Sequence, residues 1–273
     1  MPLSFRSPVQ EADQHLTGRV TRFIYPLGKG CSGITDIRKK KETAMQTVSQ
    51  TKKRISLALK LIVILSAVIG TLMSAGAGRR SFMGGSRALM YFTIQSNILI
   101  ALICAAGLVF LFQRKPADSA WYTVKLVGTV SITLTGVVFA VMLAPLLGAS
   151  AWNFQNTLTH LIVPLAAVAD FFVTAPGARI PRKRIVWVIV PPLLYVIYAG
   201  IGFVRNWDWG WGQNYPYFFL NWGSPAGAFG FSKELPFLGC VWWILILLLF
   251  LIAVAWCYLA LADRIGRNKN KSV

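Results

Sequence analysis

The sequence predicts an all-α, polytopic integral membrane protein built as a six-helix transmembrane bundle. Two observations carry this. Of 273 residues, 55% are hydrophobic and 14% charged, with positive mean hydropathy, a composition that does not describe a soluble domain. The apolar residues also gather into six runs, each able to cross roughly 30 Å of hydrocarbon at about 1.5 Å per residue. A third observation, the placement of lysine and arginine, sets the orientation.

Residues 1–54 are polar and hold 11 Lys or Arg against four acids, closing on Arg38-Lys39-Lys40-Lys41 and Lys52-Lys53-Arg54. This reads as a basic, cytoplasmic, disordered arm. It is no signal peptide, because the first apolar run is too distant and too long for a cleaved segment. Met45 is an alternative start. The six-helix domain covers 55–262, with spans near 56–75, 88–112, 124–147, 156–174, 185–204 and 238–261, and 263–273 forms a basic cytoplasmic tail. Lys60 and Lys125 fall near the cytoplasmic ends of the first and third spans, where long side chains snorkel to the headgroups.

Insertion responds to the Lys/Arg bias of the loops. The arm, the 113–121 and 175–184 loops and the tail hold 21 such residues, and the opposite loops hold five. Both termini are therefore expected in the cytoplasm, in a multi-pass protein of the plasma (inner) membrane. The formal charge of +19 follows from this topology and not from a nucleic-acid surface, since the basic residues do not interleave with aromatics in one soluble patch. Cys31, Cys104, Cys240 and Cys257 lack metal-ligand or CxxC spacing. No disulfide, metal or cofactor is expected, and membrane lipids are the expected surroundings.

Small residues Gly128, Ser131 and Thr135 line one face of the third span and suit close helix packing. Pro191-Pro192 should kink or delay the fifth helix, and Pro145 and Pro164 should act similarly on the third and fourth. The long 205–237 connection is rich in aromatics, including Trp207, Trp209, Trp211, Tyr215, Tyr217 and Trp222. It reads either as an interfacial anchor or as a lid over the outer mouth.

The polar residues inside the spans are the functional candidates. Thr93, Ser96 and Asn97 share a face of the second helix through i, i+3, i+4 spacing, while Gln95 points elsewhere. Thr93 lies about one and a half turns from the outer end of its span, and His160 about one turn into the fourth. Independent counting thus brings both to one depth. Asp170 lies ten residues beyond His160, roughly 15 Å along the axis, too deep to orient that imidazole. Lys60 or Lys125 are its nearest partners by depth.

At these residues the chain resembles a known family. Gly84-Gly85, Arg87 and Tyr91-Phe92-Thr93 are similar to the Gly-Gly, basic, aromatic-x-Thr opening of the androgen-induced and androgen-dependent membrane proteins and their bacterial relatives. Asn156-x-x-x-His160 with Pro164 and Asp170 resembles their histidine-bearing span, and Tyr215-Pro216-Tyr217-Phe218-Phe219-Leu220 the Tyr-Pro-Tyr segment of the bacterial branch. Asn221 stands where those relatives often carry aspartate. The resemblance covers roughly 55–262. It implies a six-span fold and a threonine hydrolase that cleaves fatty acid esters of hydroxy fatty acids, with Thr93 and His160 at the matching positions.

Such a pairing is chemically sensible. A threonine hydroxyl is a weak nucleophile until a base takes its proton, and a neutral His160 supplies one. Asn97 or Asn156 would offer amide donors to the oxyanion, with Ser96 in support. The expectation is a membrane hydrolase acting on a lipidic ester near the outer leaflet. Two other classes fit the same residues: a small-solute or proton-coupled transporter, lined by Gln95, Asn97, His160 and Asp170, and a non-catalytic lipid-binding protein.

Overall fold

The structure, a computed structural model, describes the backbone of residues 31–77, 83–113, 118–176 and 180–271, and the side chains among these from residue 49 to 267. The chain divides into two units, Met1–Thr47 and Val48–Val273. The second holds the six apolar spans and the candidate site.

Six helices among the described residues are long and apolar enough to cross a membrane. They are α1 (Cys31–Gly76, apolar over Ser49–Gly76), α2 (Phe92–Gln113), α3 (Ser119–Ser150), α4 (Phe154–Thr174), α5 (Arg182–Val204) and α6 (Cys240–Lys271, apolar over Cys240–Arg267). The protein is therefore all-helical and of multi-pass membrane type. Each span contains the core of the run expected for it, and most extend several residues further, because polar residues at a helix end keep their backbone bonds even where they leave the hydrocarbon.

The arm needs correction. Helix begins at Cys31, so residues 31–54 are not disordered; Arg38–Gln46 is rich in Lys, Glu, Ala, Met and Gln, all strong helix formers. The rest of the expected arm, 1–30, lies outside the described residues, as do the arginines Arg79, Arg80, Arg114 and Arg179 that enter the orientation argument.

α3 is the central element. Its residues Leu126, Val130 and Leu134 pack with Phe171 of α4, Val188 of α5 and Leu251 and Ala255 of α6. Ile132 on another face joins Val63 and Ala67 of α1, Ile100 and Ile103 of α2, and Val163 and Ala167 of α4. Ala and Gly recur at these seams because lipid supplies no hydrophobic drive, and tight van der Waals contact must hold the helices together. Gly128 is the clearest case: a Cβ there would collide with the Ile103 side chain. The outward faces stay apolar, as at Leu72 (65% exposed) and Leu249 (67%), which suits a helix bathed in acyl chains.

The prolines reshape three helices as anticipated. Pro145 and Pro164 each follow a single π-helical turn, Phe139–Leu143 in α3 and Leu158–Ile162 in α4. A proline gives no N–H to the carbonyl four residues back. The preceding ladder shifts accordingly to i→i−5 bonds, Ala144 N–H to the Phe139 carbonyl and Val163 N–H to the Leu158 carbonyl. Before Pro191-Pro192, residues Arg182–Ile189 wind as a 3₁₀ helix and the α-helix starts only at Val190.

The lysine anchors also need correction. Lys60 and Lys125 are each 4% exposed and do not snorkel. Lys60 Nζ lies 2.6 Å from Asp170 Oδ1 and Lys125 Nζ 2.5 Å from Oδ2. Ser56 Oγ donates to Oδ1 at 2.7 Å, and Lys125 Nζ also reaches Thr174 Oγ1 at 2.5 Å. Asp170 has the lysine partners that its depth suggests, and the cluster ties α1, α3 and α4. Depth alone does not tell which way a side chain faces, and a carboxylate inside the bundle draws both ammonium groups inward.

Candidate functional site

At the opposite end of the bundle, α2 opens directly after a 3₁₀ turn, Gly85–Met90. Its first two turns bury Thr93 (6% exposed), Ser96 and Asn97 on one face. Gln95 points away, its amide donating to the carbonyls of Leu89 and Met90.

α4 brings His160 to this face. Asn153 caps the helix by accepting the Asn156 N–H at 2.9 Å, and the π turn that follows carries Thr159 and His160 inward. His160 Nδ1 lies 3.1 Å from the Asn156 carbonyl and 2.9 Å from Thr159 Oγ1. A carbonyl only accepts, and Thr159 Oγ1 already donates to the Gln155 carbonyl, so Nδ1 carries the proton. The lone pair is then on Nε2. That atom lies 3.5 Å from Thr93 Oγ1, at the outer limit of hydrogen bonding, as catalytic pairs often stand before substrate binds.

The imidazole is fixed from its face as well. Phe139, from the π turn of α3, stacks on it with ring centres 3.8 Å apart and planes 23° from parallel. Gly136, one turn earlier, lets α3 come this close: a Cβ there would lie 2.9 Å from the His160 carbonyl, the group that Pro164 leaves without its usual N–H.

The expected supporting residues are close by, in other roles. Asn97 spends its amide hydrogens on the carbonyls of Thr93 (2.8 Å) and Thr159 (3.3 Å), joining α2 to α4. Its Oδ1 is buried with no hydrogen-bond partner and, being an acceptor, cannot stabilise an oxyanion. Asn156 Nδ2 donates to the Ala151 carbonyl at 2.8 Å, so its contribution here is the carbonyl that orients His160. Ser96 Oγ contacts the Thr93 carbonyl at 3.0 Å and Thr135 Oγ1 at 2.7 Å, locking α2 to α3.

Tyr217 is the group that sequence reasoning did not select. Its hydroxyl accepts the Thr93 N–H at 3.4 Å, and its ring lies against that of Tyr195 with centres 6.1 Å apart. Burial pushes its phenol up from the usual value, so it remains a protonated donor at neutral pH. The only signal was its place in the Tyr-Pro-Tyr segment.

The 205–237 connection delivers Tyr217 by packing onto the bundle end. Trp209 is fully buried, its carbonyl accepts from the Tyr91 hydroxyl, and Tyr91, Tyr195, Trp209 and Phe219 form one aromatic cluster. Asp208 closes the outside, pairing with Arg87 at 3.1 Å. Elsewhere the segment exposes Trp211 (73%) and Phe231 (72%), rings suited to an interface. It thus combines features of both expected roles.

Thr93 also lines a narrow cavity of about 60 Å³, and His160 is not among its walls. Apart from Thr93, Thr135, Tyr195 and Tyr217, its lining is apolar, with Leu134, Val138, Val196, Leu220 and Leu247 among the walls. A hydroxyl therefore stands between an imidazole and an apolar slot, beside a phenol. The arrangement can move a proton from Thr93 to His160 and offer a hydrogen bond to a third group. The Lys60–Asp170–Lys125 cluster takes no part in it. No family model, curated protein or solved structure matches the chain.

Proposed function

We propose that this chain is a membrane-embedded hydrolase that cleaves a lipidic ester through Thr93 and His160. The observation that carries the reading is the 3.5 Å approach of Thr93 Oγ1 to His160 Nε2, with Nδ1 satisfied by the Asn156 carbonyl, at the wall of an apolar cavity. The resemblance to the androgen-induced and androgen-dependent membrane proteins supports the same choice, with fatty acid esters of hydroxy fatty acids as the substrate class.

In this mechanism the ester places its carbonyl carbon against Thr93 Oγ1, with only the first carbons of its acyl chain in the slot, which at about 60 Å³ is far smaller than a site for a whole chain. Nε2 takes the hydroxyl proton as the C–O bond forms. Negative charge then develops on the carbonyl oxygen, where Tyr217 O–H and the Thr93 N–H, which at rest donates to the Tyr217 hydroxyl, turn toward it as donors. Collapse of the intermediate expels the alcohol, which receives the proton from His160, and leaves an acyl-threonine. Water attacks that ester with His160 again as base, releasing the acid and restoring Thr93. With the lysine- and arginine-rich end in the cytoplasm, the site opens at the outer leaflet of the plasma membrane.

The test is hydrolysis of hydroxy-fatty-acid esters by purified protein. Wild type should turn over, with His160→Ala slower by roughly 10²–10⁴-fold and Thr93→Ala inactive. Equal rates in all three would overturn the proposal.

A further inference from the structure

Toward the lysine- and arginine-rich end of the bundle, away from Thr93, a second recess opens between α2, α3 and the start of α5. It measures about 540 Å³ and is walled by Ile103, Ala120, Val124, Val127, Trp187 and Val190, within the size range of small-molecule sites. Arg184 also lines it. Its Nη1 donates to Ser119 Oγ at 3.1 Å and Thr123 Oγ1 at 3.2 Å, and neither acceptor is charged. Among the described residues Arg184 has no carboxylate partner, whereas its neighbour Arg182 pairs with Asp263 at 2.6 Å.

We propose that this recess binds one anionic phospholipid, with the phosphate on Arg184 and an acyl chain along the groove. Charge and polarity select that occupant. The two hydroxyls hold the guanidinium in place while its other N–H groups remain for bidentate contact with phosphate oxygens. Lys183, exposed next to it, adds a second positive charge. From Ala120 to Val127 the α3 wall runs about 10 Å into the bilayer, and of the α3 residues that line the recess, Ala120, Thr123, Val124 and Val127, Thr123 is the polar one. The recess thus has the polarity gradient of a lipid, and a basic pocket between membrane helices recognises acidic headgroups. This assignment is independent of the hydrolase reading, because no residue of the Thr93 site lines the recess.

The experiment is native mass spectrometry of the detergent-solubilised full chain with equimolar phosphatidylglycerol and phosphatidylcholine of identical acyl chains. Wild type should retain phosphatidylglycerol about fivefold over phosphatidylcholine. Arg184→Gln should cut the preference to about twofold or less, the part Lys183 supplies, Arg184→Lys should keep it, and Val124→Trp, which fills the groove, should lower binding of both. Equal binding by wild type, an unchanged preference in Arg184→Gln, or full retention by Val124→Trp would each overturn the assignment.

Discussion

Replacing Asp170 by asparagine keeps the shape of the side chain and removes the carboxylate that Lys60 and Lys125 share. The wild-type cluster sets two ammonium groups against one carboxylate, at 2.6 and 2.5 Å, with Asp170 fully buried and both lysines 4% exposed. Asp170→Asn leaves those two like charges facing each other without an anion. Loss of one partner from a buried ion pair costs about 3–5 kcal/mol, and the repulsion places this variant toward the upper end. Lys60→Met should cost less, about 1.5–3 kcal/mol for one lost charged hydrogen bond, because Lys125 and Asp170 remain a balanced pair. The sign of the coupling is the sharpest expectation: the double variant should be more stable than Asp170→Asn alone, since removing Lys60 relieves the repulsion. Equilibrium unfolding in mixed micelles measures all three. The reasoning fails if Asp170→Asn stays within about 1 kcal/mol of wild type, or if the two substitutions simply add. Asp170→Asn protein that remains folded should still hydrolyse ester, whereas a proton-coupled transporter lined by Asp170 would lose its activity.

Tyr217→Phe should lower hydrolysis roughly 10²-fold with little change in stability, as expected for loss of one oxyanion donor; a rate equal to wild type would remove Tyr217 from the site. Gly136→Ala places a methyl 2.9 Å from the His160 carbonyl and should displace the imidazole, cutting turnover at least about tenfold, as read in the same ester assay. Tyr91→Phe removes the hydroxyl that holds the Trp209 carbonyl. That should cost about 1 kcal/mol and speed proteolysis within 205–237 about fivefold, because local opening sets the cleavage rate.

The six spans are legible in the sequence because a bilayer demands a minimum apolar length, and length is directly countable. Depth is countable too, which is why Thr93 and His160, and Asp170 with its lysines, pair across helices in the structure. What counting does not give is azimuth. Lys60 and Lys125 look like snorkelling anchors until the inward face of each helix is known, and Asn97 looks like an oxyanion donor until its amide is seen to be committed to two carbonyls. The prolines foretell a disturbance at 139–143 and 158–162, but not that both π turns would bring Phe139 and His160 face to face. Tyr217 is least legible, since the 205–237 segment has no periodicity from which its path could be inferred. Helix in 31–54 is missed because a high density of lysine suggests repulsion, although the same residues have high helix propensity.

The central claim is that Thr93 is an acylated nucleophile, and the most direct test maps where a fluorophosphonate probe attaches. Protein labelled in membranes, digested and sequenced by mass spectrometry should carry the adduct on Thr93, with labelling abolished in Thr93→Ala and strongly reduced in His160→Ala. Labelling that persists in Thr93→Ala, or no labelling of active wild-type protein, would contradict the account.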